Sequence, residues 1–355
     1  MKTRLLSRFL ASLAFAGALA APLTAARADS LESAFDKALT SQPRAPRQVV
    51  VAQQASIVPV EPSGASAYSR SYGSSLEAQI AQLANDSQGR IGVAAVDLGT
   101  GRSLAVLGDQ PFPMASTSKI AIVATFLQAV DQGRFRLTDR FPLMLPVPSA
   151  KYSSAAAPVR AGPELSALEL IDRTIIHSDN RATDALLAAV GGPGAVNRWM
   201  RNSAGLSGLR LDRDIATLVR DDGQYDPARV VDVRDSATPL AMVELLTGVY
   251  QGRWLTRSSN AVLLSAMERC VTGKYRMRAL LPEDARVLHK TGTLSNTSSD
   301  VGIINTPDGR AIAVAIYVTG QGGKAGRDAR IASIARAIYD GYQVESSSFR
   351  RAASR

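Results

Sequence analysis

The sequence predicts an α/β domain, a three-layer α-β-α sandwich with one antiparallel sheet built from both ends of the domain and an all-helical subdomain inserted between. Three observations carry this prediction. Strand-like apolar runs occur at residues 91–97 and 103–107, then return only at 286–292, 300–305 and 311–318. Helical spacing fills most of the interval. Leu98-Gly99-Thr100-Gly101 and Thr306-Pro307-Asp308-Gly309 are turn signals that join neighbouring strands as hairpins. Strands at both ends with helices between them fit a sheet that the chain leaves and rejoins.

The chain has 355 residues, 46% of them hydrophobic, enough for a sizeable core. Its first 28 residues read as a secretory signal peptide. Lys2, Arg4 and Arg8 form a basic start, residues 9–20 an apolar run too short to span a bilayer comfortably, and Ala26-Arg27-Ala28 a small-x-small cleavage site. Cleavage after Ala28 makes the protein periplasmic or secreted and leaves no stable membrane span. It removes four basic residues, so the formal charge falls from +10 to +6. A mildly basic exported protein associates with anionic polymers such as a cell wall. Nucleic acid is not an expected partner, because no dense Arg/Lys stripe with interleaved aromatics is present.

Residues 29–74 are a linker, with a short helix possible near the start and a Pro-, Gln-, Ser- and Ala-rich stretch after Ser41. The folded domain spans 75–345, its sheet portion 75–112 and 285–345, its helical portion 113–284. Residues 346–355 are a polar tail. Along the domain, 76–83 has helical spacing, and the apolar helix after Ser116 stops at Gly133. Further helices are expected over 164–177, 181–190, 193–201, 239–250 and 259–269. Pro193 and Thr238-Pro239 supply first-turn and cap signals. Ile331, Ile334, Ala335 and Ile338 mark a final helix over 328–339.

Cys270 is the only cysteine, which excludes an internal disulfide. The two histidines, His177 and His289, are distant from it in sequence, so Cys270 reads as a buried structural residue. No metal-ligand spacing is present, and no metal or organic cofactor is implied.

The chemistry is concentrated in three short motifs. Ser116-Thr117-Ser118-Lys119 opens the first long helix, so Ser116 and Lys119 share a face one turn apart. A desolvated lysine can take the serine's proton, and the helix N-terminus offers N–H groups to an oxyanion. Ser178-Asp179-Asn180 follows 62 residues later and Lys290-Thr291-Gly292 a further 112 residues on, along a strand. This trio, in this order, is the signature of serine β-lactamases and penicillin-binding proteins. The flanks strengthen the likeness: Pro113-Met114-Ala115, then Ala182, Leu186-Leu187, Gly191-Gly192-Pro193, Leu211-Asp212-Arg213 and Asp232-Val233-Arg234-Asp235. Over residues 75–340 the chain resembles the class A serine β-lactamases.

The resemblance implies that Ser116 is acylated, that Lys119 takes its proton or relays it, and that Ser178 passes a proton to the leaving nitrogen. It implies that Lys290 favours an anionic substrate while Asn180, Thr291, Gly292 and Thr293 bind it. The oxyanion hole would be the N–H groups of Ser116 and Thr293. Asp179 braces its loop, and Arg213 with Asp235 closes an omega loop. The substrate is then a small β-lactam or a peptidoglycan stem peptide, handled by a monomer.

One departure bears on mechanism. Family members carry a water-activating glutamate just after Leu-Asp-Arg. Here Ile215 stands in its place and Val219 replaces a helping asparagine, in a loop longer than usual. Residues 213–235 contain no Glu and no Asn, so Asp214, Asp221 and Asp222 are the candidate bases, the latter two if the longer loop turns inward. No arginine follows on the strand after Gly292, which leaves the usual extra carboxylate anchor unplaced. The distances between the motifs and the omega-loop flanks favour a β-lactamase. The missing glutamate favours a D,D-peptidase that deacylates slowly. A non-catalytic binder of β-lactams or muropeptides is opposed by the intact nucleophile and both lysines.

Overall fold

The computed structural model describes residues 57–59, 73–85 and 88–353. The expected signal peptide, and the expected linker apart from 57–59 and 73–74, lie outside the described residues. In chain order the elements begin with β1 (Ile57–Pro59), α1 (Ser75–Ala84), β2 (Ile91–Asp97), β3 (Ser103–Val106) and β4 (Phe112–Pro113). A 3-10 turn over Ala115–Ser118 leads into α2 (Lys119–Asp131), then β5 (Arg140–Pro146), β6 (Val159–Ser166), α3 (Ala167–Ile176), α4 (Asn180–Val190) and α5 (Pro193–Arg198). Next come β7 (Leu209–Arg210), α6 (Ile215–Arg220), β8 (Val230–Asp232), β9 (Ser236–Ala237), α7 (Pro239–Tyr250) and α8 (Arg257–Glu268). The chain closes with β10 (Arg286–Leu294), β11 (Thr297–Asn305), β12 (Ala311–Thr319) and α9 (Lys324–Ala353).

The main sheet has the order β10-β11-β12-β2-β3, antiparallel throughout, so strands from both ends of the domain do share one sheet. Its central strands are covered on both faces, and side-chain alternation splits their apolar residues between two cores. On β12, Ala313, Ala315 and Tyr317 join the core beneath the inserted block, whereas Ile312, Val314, Ile316 and Val318 join the one beneath α1 and α9. Helix α2 runs through the middle of the inserted block and is buried on nearly every side, which suits its almost unbroken apolar sequence.

The inserted block is not all helical. A hairpin, β5–β6, and a three-stranded ribbon, β4-β9-β7, are built into it. Residues 164–166, expected in a helix, close the hairpin instead. Helix α3 starts at Ala167 because Ser166 caps it in a capping box with Glu169. Thr256, rather than Ser259, caps α8. The last helix starts earlier than expected and runs on through residues read as tail, to Ala353. Within the expected linker, β1 pairs with β8. No helix among the described residues is long and apolar enough to cross a membrane.

Strand β10 is at the edge of the main sheet and packs beside the 3-10 turn that carries Ser116. Gly292 permits this closeness: a Cβ there would lie 2.7 Å from the Met114 carbonyl oxygen and 2.5 Å from Ser299 Oγ.

Candidate active site

The nucleophile segment is fixed from both sides. Met114 N–H donates to the Asp235 carbonyl at 2.9 Å. Ala115 takes the left-handed region at φ 48°, an uncommon and strained conformation for a residue with a Cβ. Of the three hydroxyls that follow, two turn inward: Thr117 Oγ1 donates to the Met114 carbonyl at 2.7 Å and Ser118 Oγ to that of Ala115 at 2.8 Å. Ser116 is the one that lines a small cleft, together with Ala115, Asn180, Ile215, Leu218, Val219, Thr293 and Leu294.

Lys119 is fully buried, and its Nζ donates to the Ser178 carbonyl at 2.7 Å, to Asn180 Oδ1 at 2.7 Å and to Ser178 Oγ at 3.2 Å. Ser178 sits at φ 58°, a second strained residue in the site. That conformation swings its hydroxyl between two lysines, since Lys290 Nζ donates to the same Oγ at 2.9 Å. Asp179 follows and caps α4, accepting from the N–H groups of Arg181 and Ala182. Its carboxyl is held below the ordinary value: burial opposes this, but the Arg181 guanidinium and the cap donors prevail. Helix α4 therefore starts where Asn180 can reach Lys119.

On β10, Lys290 faces Ser178, whereas Thr291 turns its hydroxyl to Thr272 Oγ1 at 2.6 Å. Sequence reasoning missed Arg276. It reaches the strand from the loop before it, not from the strand after Gly292. The side chain is fully buried, ion-paired to Asp328 at 2.7 Å, and donates to the Gly292 carbonyl at 3.0 Å and to Thr293 Oγ1 at 2.7 Å. It thus places a permanently charged guanidinium, paired with Asp328, against β10. Its placement depends on long-range packing, and no local pattern marks it.

The omega loop is closed by Arg213 and Asp235, whose Nε and Oδ2 are 2.5 Å apart. Asp235 also accepts from the N–H groups of Asp212 and Arg213. The candidate bases are occupied elsewhere. Asp214 caps α6 by accepting from Thr217 N–H at 2.7 Å. Asp221 pairs with Arg220 at 2.7 Å and accepts from Tyr152 N–H. Asp222 is held by Ser295 N–H at 2.9 Å, and burial pushes its pKa up to about 6. None of the three lines the Ser116 cleft. Asp221 and Asp222, expected to turn inward, do not line the Ser116 cleft: Asp221 is held by Arg220 and Tyr152, and Asp222 by Ser295 N–H of the β10–β11 turn. Buried Asp184 accepts from Ile215 N–H at 2.7 Å and Ala216 N–H at 2.8 Å, which fixes Ile215 over the cleft.

Ser116 in a cleft with Asn180, next to two buried lysines that share the Ser178 hydroxyl, on this sheet-and-helix frame, defines a Ser-x-x-Lys serine hydrolase. The model of the β-lactamase enzyme family matches residues 75–342, and the chain belongs to that family. It is similar to β-lactamase CTX-M-25 of Escherichia coli, with 32% identity over 75% of this chain and 89% of the relative. Among solved structures it is similar to an ancestral class A β-lactamase, with a TM-score of 0.64 and 36% identity over 75% of this chain and 99% of that one. A leucine-to-glutamate mutant of PBP-A, solved as its acyl-enzyme complex with penicillin G, gives a TM-score of 0.63 and 28% identity over 76% of this chain and 96% of that one.

Proposed function

We propose that this chain is an exported active-site-serine β-lactam hydrolase that is acylated readily at Ser116 and releases the acyl group slowly. The carrying observation is the contrast inside one cleft. Lys119 and Lys290 converge on Ser178 Oγ at 3.2 and 2.9 Å, but the omega-loop wall opposite is Ile215, Leu218 and Val219.

The steps follow from these residues. Lys119 serves as the base for the Ser116 proton as Oγ attacks the lactam carbonyl. The N–H groups of Ser116 and Thr293 receive the oxyanion. Ser178, polarised by Lys290, gives a proton to the departing ring nitrogen. The substrate carboxylate rests on the Lys290-Thr291-Gly292 strand, above the charge of Arg276, and Asn180 holds the side-chain amide. Deacylation then needs a water and a base, and the apolar wall supplies no carboxylate to activate one.

The same wall favours a second reading, a D,D-peptidase-like enzyme acting on peptidoglycan stem peptides, with β-lactams as long-lived acylating agents. Export to the periplasm or medium rests on the N-terminal 28 residues and agrees with either substrate. A monomer is the simplest assembly for this activity.

Rapid mixing of residues 29–355 with a chromogenic cephalosporin tests the proposal. The expected result is a burst of about one equivalent, a slow steady rate, and loss of both in Ser116→Ala. Fast turnover without a burst would overturn slow release, and no reaction at all would overturn the β-lactam assignment.

A further inference from the structure

The omega loop is tied down by a strand that comes from outside it. β1 (Ile57–Pro59) pairs antiparallel with β8 (Val230–Asp232), with Ile57 opposite Asp232, Val58 opposite Val231 and Pro59 opposite Val230. Among the described residues β8 has no other strand partner, so this limb of the loop gains a ladder only from β1. Pro59, which offers no N–H, suits such an edge strand. β1 also lies ahead of residues 75–342, the part of the chain shared with the family. Asp232 carries the pairing inward: it meets Arg234 at 2.6 Å and Arg213 at 3.7 Å, and Arg213 closes the loop on Asp235.

There is space beneath the limb that β1 holds. A cavity of about 60 Å³ lies between the omega loop and the β10–β11 turn, lined by Val230 and Asp232 of β8 and by Ser295 of the turn. Leu218 and Leu294 line it too, and the same two leucines line the Ser116 cleft, which is about 30 Å³. They form the partition between the two spaces. A side chain backed by close-packed atoms cannot retreat, whereas one backed by a cavity can. In the proposed mechanism Asn180 holds the substrate's side-chain amide, and Asn180 shares the cleft with Leu218 and Val219. The acyl side chain beyond that amide meets Leu218, and a bulky one needs Leu218 to move toward the cavity.

We propose that residues 57–59 are a strap on the omega loop that sets which acyl side chains the cleft accepts. Paired with β8, they hold Leu218 against the cleft and select slender side chains. Unpaired, they let the loop yield into the cavity and admit bulky ones. Three residues supply few main-chain hydrogen bonds, so the pairing opens without unfolding the domain. The inference rests on the acylation reading above.

A disulfide across Val58 and Val231 tests it, since residues directly opposite in an antiparallel pair lie within disulfide reach. Val58→Cys with Val231→Cys, made in residues 29–355 with the buried Cys270 retained, should cross-link on mild oxidation. Acylation of Ser116 is then followed by intact mass with two penicillins. Methicillin carries a substituted aryl ring directly on the amide carbonyl, and penicillin G sets its phenyl ring back by a methylene. The ratio of the methicillin rate to the penicillin G rate should fall at least about threefold on oxidation and recover on reduction. Ile57→Pro with Val58→Pro, which unmakes the ladder, should move the ratio the other way and speed amide hydrogen exchange over residues 230–232. Failure of the cross-link to form, or a ratio unmoved by oxidation, overturns the strap while leaving acylation intact. Absence of any Ser116 adduct with penicillin G in the wild type overturns the parent reading, and the strap's part in selection with it.

Discussion

In the proposed mechanism, Ile215 occupies the position that decides how long an acyl group stays on Ser116. It is 2% exposed and lines the cleft, and Asp184 holds its N–H. An apolar side chain there can order no water and accept no proton. Ile215→Glu should shorten the adduct lifetime about tenfold or more, measured by intact mass after excess penicillin is removed. Burying the new carboxylate should lower stability and raise its pKa. An unchanged lifetime in a folded variant would mean that the wall is not what limits release. The nucleophile, both lysines and Ser178 were legible at this scale because each motif is contiguous and local. Arg276 was not, since it meets the strand only through the loop before it and long-range packing.

At the scale of elements, the omega loop is latched to the β10–β11 turn. Asp222 accepts from Ser295 N–H, and Asp226 Oδ1 accepts from Asn296 Nδ2 at 2.7 Å. Asp222→Ala should speed amide hydrogen exchange at Ser295 and along residues 213–235, while the adduct lifetime stays within about twofold of wild type. A large change in lifetime would return Asp222 to the list of proton acceptors. Gly292 is the other critical contact. Gly292→Ala should push β10 away from the Ser116 turn and lower the acylation rate about 10²-fold, because small displacements of reacting groups are costly. The five sheet strands were readable from apolar runs and turn signals. The β5–β6 hairpin was not: Pro142, Pro146 and Pro163 interrupt its alternation, Gly162 leaves space for Leu145, and much of its surface is exposed. Its strands carry little of the core-facing period that marks β2 or β12.

For the molecule as a whole, stability should respond to pH through two buried carboxyls. Burial raises Asp184 and Asp222 to about 6. Between the unfolded value of about 3.9 and this one, the native state binds protons that the unfolded chain has already lost. These two groups therefore lower stability as pH rises through that interval, and their effect levels off above about 6. Thermal unfolding across that interval should show the fall, and Asp222→Asn should reduce it. A midpoint that instead climbs steadily over the same range would contradict those environments. In the proposed mechanism the fold keeps acylation and release apart: sheet edge and helix ends supply the acylating groups, and the omega loop turns only Ile215, Leu218 and Val219 to the cleft. The most direct test is the decay of the penicilloyl adduct on wild-type Ser116, followed by intact mass after removal of free penicillin G. The account predicts stoichiometric adduct that outlasts many acylation half-times, whereas an adduct that disappears as fast as it forms would contradict it.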